Sequence, residues 1–132
     1  MEILRNNATE ILLLLFLIIT FLQSGIDKVF DWTGNLSWLK GHFSDTPLQG
    51  LVPFLLFTVL LVEMVAAVLC LVGLYEIVVI EKTTIAFYGA IMSCVSLLML
   101  LFGQRMAKDY DGAKTIAVYF IPAIFLVFIL QA

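Results

Sequence analysis

Glu63 stands among Leu61, Val62, Met64 and Val65, in the middle of a run of hydrocarbon side chains long enough to cross a bilayer. A carboxylate at that depth costs several kcal/mol, so an intramembrane acid marks a proton site, a ligand site or a polar staple between helices. A second polar set closes the first apolar run, in FLQSGIDKVF (Phe21 to Phe30). There Thr20, Ser24, Asp27 and Asp31 recur at spacings of four, three and four, which makes one helical stripe, with Gln23 and Lys28 beside it. Glu63 begins another stripe with Ala66, Ala67, Cys70 and Gly73; further along, Gly89, Ser93, Ser96 and Gly103 share a face, and Thr115, Tyr119 and Pro122 share a fourth. Four such faces turned towards each other predict a polar funnel. Asp27 and Lys28 form its mouth, Arg105 its rim, Gln23, Ser24, Ser96 and Tyr119 its wall, and Ser93 and Glu63 its floor.

Lys28 is the cation that could neutralise Glu63. Counting 1.5 Å per residue from Phe30 and Leu51 as a shared boundary leaves about 15 Å between them along the axis. A lysine side chain covers roughly 6 Å of that at the same scale. The count therefore predicts no direct pair, and a relay through Gln23, Ser96, Tyr119 or water instead. The plainer reading of Glu63 is an uncharged acid that hydrogen-bonds neighbouring helices together.

The elements that must position these residues follow from composition. Of 132 residues, 63% are hydrophobic and 13% charged, and the mean hydropathy is +1.12. Soluble domains carry about 45–50% apolar residues. Four windows have spanning length, at about 9–30, 51–74, 83–103 and 113–130. The first is no signal peptide, since Glu2 and Glu10 flank Arg5 and no small-residue cleavage site follows. The expected fold is an all-α membrane protein, an antiparallel bundle of four transmembrane helices forming a single domain over 1–132. The long first connection carries Trp32, Trp38, Leu36, Leu39 and Phe43, which predicts a short interfacial helix between Thr33 and Phe43. Asp45, Thr46 and Pro47 read as cap and first turn of the second span. YEIVVIEK reads as the link between the second and third.

Several chemistries are excluded. A single histidine, His42, cannot supply paired haem ligands, and no Cys/His cluster has metal spacing. Neither a phosphate loop nor a nucleophile elbow is present. Cys70 and Cys94 read as small buried hydrophobes. The chain binds no metal and carries no redox centre of its own, so electron transfer would depend on a partner or a bound quinone. Net charge is −3, with no basic run for nucleic acid. Arg5 and Lys82 fall on one side of the spans, and Lys28, Lys40, Arg105, Lys108 and Lys114 on the other. That imbalance places the long first connection in the cytoplasm and both termini outside.

The order of FLQSGIDKVF, a tryptophan-bearing connection and LVEMVAAVLCLVGL resembles the DoxX family of small four-helix bacterial membrane proteins. The matching elements are Ser24, Gly25 and Lys28, then Glu63 through Gly73, and the layout covers nearly the whole chain. The resemblance implies a multi-pass protein of the bacterial inner membrane and supplies no agreed catalytic residue set to carry over. Members serve as membrane subunits of a thiosulfate:quinone oxidoreductase or assemble with redox-defence enzymes, and distant relatives assist receptor assembly. The expected function is thus a non-catalytic subunit or docking partner of a membrane complex, linked to redox chemistry or to quinone. A small-molecule or proton-coupled carrier using Glu63, and an assembly factor for another membrane protein, are the other readings.

Overall fold

A computed structural model describes residues 5–131. Helix α1 runs Ala8–Phe30 and α2 runs Trp32–His42. After a 3₁₀ turn at Gln49–Leu51 come α3, Val52–Tyr75, then α4, Thr84–Met106, and α5, Tyr110–Gln131. Four helices are long and apolar enough to cross a membrane, with mean hydropathies from 2.0 to 2.8. By that length and composition the chain is a multi-pass membrane protein. Its outward surface fits that setting, with Leu12, Ile19, Phe54, Leu61, Val68, Ile121 and Phe128 all exposed. Contiguous apolar surface of this extent is unfavourable in water.

The helix boundaries have local causes. Asp31 leaves helical geometry (φ −128°, ψ 50°), so α1 bends directly into α2 without a loop. The predicted cap of the second span is displaced. Thr46 closes a tight turn instead, donating to the Phe43 carbonyl and accepting from the Leu48 N–H. The helix starts at Val52, with Pro53 in its first turn, where a missing N–H costs nothing. Asp109 accepts the Gly112 N–H at 2.9 Å and so caps α5.

The link YEIVVIEK is largely helical, which corrects the sequence reading. A π-helical turn continues α3 through Glu76–Ile80, and the chain reverses at Glu81, in the left-handed region with φ 61°. Glu76 stabilises the reversal, because its carboxylate accepts the Ile85 N–H in the first turn of α4. That is a cap supplied from the preceding helix.

Helix α3 packs most extensively on α4, α4 on α5, and α1 on α3. The core joins Leu14, Leu17, Ile18 and Phe21 of α1 to Ala66, Ala67 and Cys70 of α3. Ala86, Ala90, Cys94 and Leu97 of α4 and Ala123 and Leu126 of α5 complete it. The α3–α4 seam is the tightest. A methyl group at Gly73 would lie 2.5 Å from Ala86 Cα, and one at Gly89 would lie 2.9 Å from Cys70 N. Small residues are what permit such backbone approach between membrane helices. The predicted stripe Glu63, Ala66, Ala67, Cys70 and Gly73 is buried throughout, and so are Gly89, Ser93 and Ser96. The stripe predicted for the last span is not the buried one, since Ala113, Ala123 and Leu126 face inward and Thr115 is exposed.

Gly89→Val and Gly73→Val should each destabilise the protein by about 1–3 kcal/mol through overpacking. Leu12→Phe, on the exposed side, should be nearly neutral. Thermal unfolding in detergent checks this, and equal melting temperatures for the three variants would contradict the close seam.

Candidate functional site

Lys28 and Glu63 meet. The Lys28 Nζ lies 2.9 Å from Glu63 Oε1 and donates a 2.6 Å hydrogen bond to Ser24 Oγ, one turn back on α1. The Glu63 side chain is 2% exposed and that of Lys28 15%. The relay expected from depth counting is therefore replaced by direct contact. The reason is helix register. Gly25 packs against Leu60 and Met64 of α3, so close that a methyl group there would collide with Met64 Sδ. Lys28, three residues from Gly25, thus lies within about one turn, roughly 6 Å, of Glu63 along the axis. Counting from Phe30 and Leu51 as level positions therefore overstated the gap.

The pair is a charge contact more than an aligned hydrogen bond. Glu63 Oε1 is fully buried and has no hydrogen bond of good geometry, although the ammonium lies beside it. An acceptor left in that state retains capacity for a donor.

Two cavities flank the pair. The smaller, about 490 Å³, is walled by Thr20, Gln23, Ser24, Asp27, Glu63 and Tyr119 with apolar residues between them. It gathers most of the predicted funnel. Two acids line it and no Lys or Arg does. The larger, about 600 Å³, lies between α2, the first half of α3 and the second half of α4. Its wall is Leu, Val, Phe and Met, apart from Lys28, Asn35, Trp38, His42, Gly103 and Gln104. Lys28 lines this one and Glu63 the other, so the ion pair forms part of the partition between them.

Three predicted site residues fall elsewhere. Ser93 donates to the Gly89 carbonyl at 2.8 Å and touches Cys70 Sγ at 3.8 Å, so it belongs to the α3–α4 seam. Ser96 is buried with its hydroxyl unpartnered and lines neither cavity. Arg105 is exposed and sits 5.0 Å above the Tyr110 ring, which makes it a surface cation–π contact. The 62-residue separation of His42 from Gln104 hid one further group. His42 hydrogen-bonds Gln104 Oε1 at 3.0 Å, stacks on Trp38 and lies 3.7 Å from Asp109. These contacts tie the end of α2 to the α4–α5 turn and close one side of the larger cavity. The one available signal was Trp38 and His42 at a spacing of four.

Both cysteines are free and buried, as small hydrophobes would be. Among the described residues no group of three or more His, Cys, Asp or Glu could hold a metal ion. Comparison with family models, with curated proteins and with solved structures gives no match.

The pair predicts non-additive mutational effects. Lys28→Met leaves a buried acid without its cation and should cost about 3 kcal/mol or more. The double variant Lys28→Met/Glu63→Gln should recover most of that loss. A double-mutant cycle on thermal stability measures the coupling, and strictly additive losses would remove the ion pair from the folded state.

Proposed function

We propose that this chain is a DoxX-like, non-catalytic subunit of a bacterial inner-membrane complex, one that holds the polar head of an amphiphile at the Lys28–Glu63 pair. In this reading the four long helices form an antiparallel bundle, with α2 lying in the interface as its two tryptophans favour. The supporting observation is the buried pair bordered by a polar cavity. Most intramembrane ionisable residues mark pathways or ligand sites, and ligand cavities combine apolar walls with a few placed polar groups. Gln23, Asp27, Glu63 and Tyr119 supply such groups here. A quinone head is the ligand that the family resemblance suggests, with electrons supplied by a partner protein. The first connection faces the cytoplasm. With Lys28 held in the pair and Arg105 free at the surface, the count is two basic residues against four. A carrier role receives less support, since internal repeats and broken spanning helices are the usual marks of carriers. An assembly factor remains the second alternative, and co-purification addresses it.

Purification from the native membrane should recover a redox protein in stoichiometric amount, and the double variant Lys28→Met/Glu63→Gln should retain it. Binding of a short-tailed quinone in nanodiscs should fall at least about tenfold in Glu63→Gln and in Gln23→Leu. Unchanged quinone binding in both would reduce the pair to an interhelical staple.

A further inference from the structure

The larger cavity belongs to no part of that reading except through Lys28. Its wall contains no Asp or Glu, its only fixed cation is Lys28, and most of the remaining lining is aliphatic or aromatic. The smaller cavity is the electrostatic opposite, with Asp27 and Glu63 and no Lys or Arg. Apolar cavities exclude water and take hydrocarbon. About 600 Å³ lies within the range of small-ligand sites. The residues on α3 that line it, Val52, Leu55, Leu56 and Val59, run along the helix towards Glu63, so the apolar channel ends at the ion pair.

We propose that the larger cavity binds the chain of an anionic single-chain amphiphile whose head displaces Glu63 from Lys28, and that Glu63 takes up one proton as it does so. The proposal rests on the reading of Lys28–Glu63 as a ligand site and names a second ligand class for it. The charge balance is simple. Lys28 and Glu63 together are neutral. An anionic head on the ammonium leaves the carboxylate as an uncompensated charge in a low-dielectric setting, which is strongly unfavourable. One proton restores neutrality and leaves anion, ammonium and carboxylic acid. No covalent bond is made or broken apart from the O–H bond at Glu63. The proton reaches it from the smaller cavity, where Asp27 and Gln23 are exposed.

The titratable and charged groups around the pair fit this exchange. From α1, Asp27 lines the same cavity as Glu63 and places a second carboxyl group on its wall. From α5 comes the Tyr119 hydroxyl, and α4 contributes only Leu97 and Leu100. On the other side, His42 of α2 lines the larger cavity with Lys28, where it is hydrogen-bonded to Gln104 and lies 3.7 Å from Asp109.

The test uses the full chain in nanodiscs of zwitterionic lipid. The probes are dodecylsulfonate, ionised at every working pH, and dodecanol as a neutral chain of equal length. Wild type should bind the sulfonate about tenfold more tightly per unit fall in pH, as uptake of one proton requires, and the uptake should be measurable in weak buffer. Dodecanol should bind more weakly and without pH dependence. Glu63→Gln removes the competing carboxylate, so it should bind the sulfonate more tightly than wild type at pH 8 and show a flat profile. Lys28→Met/Glu63→Gln lacks the cation and should lose sulfonate binding, with its melting curve verifying that it is folded. Met99→Trp, which fills the cavity, should weaken both probes. Equal binding of alcohol and sulfonate, sulfonate binding by the double variant, or a flat wild-type pH profile would each overturn the proposal. Quinone binding separates the two readings. Its loss in Glu63→Gln alongside a flat wild-type sulfonate profile refutes only the proton-linked exchange. Intact quinone binding in that variant alongside a pH-dependent sulfonate profile refutes only the quinone site.

Discussion

The need to neutralise one carboxylate organises this molecule. Glu63 is 1% exposed and sits in the central part of a helix otherwise made of hydrocarbon. Leaving such a charge uncompensated would cost more than most single packing interactions contribute. Lys28 compensates it, and that requirement constrains the register between α1 and α3. Gly25 permits the register by letting Met64 approach the α1 backbone. Ser24 takes one of the remaining ammonium donors, holding the side chain against its own helix. Charge, glycine and hydroxyl therefore act as one device within a single turn of α1.

A second constraint supports the first from further along the same face of α3. The stripe Ala66, Ala67, Cys70 and Gly73 presents almost no side chain to α4, and Gly89 answers it. Close backbone contact there fixes how α3 is rotated, and so which way Glu63 points. Ser93 belongs to this seam. Its hydroxyl returns to its own helix at the Gly89 carbonyl, which satisfies a buried polar group without opening a polar path. The polar interior is consequently smaller than a funnel built from every serine would be. It lies between α1, α3 and α5 and stops at Glu63.

The bend at Asp31 has a consequence for the other half of the molecule. Because α2 starts at Trp32, it cannot move far from the end of α1, and it covers the first half of α3 and the second half of α4. His42 and Gln104 fasten its far end. The space left beneath is the apolar cavity, and its two flanking attachments are a one-residue bend and a side-chain latch. An ion pair with a polar cavity on one side and an apolar one on the other has the layout of an amphiphile site, and both functional proposals follow from that asymmetry.

Sequence alone determined the spans, because a bilayer demands about 20 apolar residues per helix and four windows of that length stand out here. It also located the helix in the first connection, within a residue of Trp32–His42, and it picked out Glu63 and Lys28, since ionisable groups in hydrocarbon are conspicuous by type. Small-residue stripes on α3 and α4 were legible for the same reason, as a periodic pattern within one helix. What only the tertiary structure decided was every relation between helices. Periodicity shows which residues share a face but carries no information about how far one helix is shifted along another. That shift joined Lys28 to Glu63 and sent Ser93 to the seam. It also left Arg105 outside the cavities, over the Tyr110 ring. The cap from Glu76 to Ile85 was hidden likewise, as it bridges two helices across a turn that the sequence presents only as a short link.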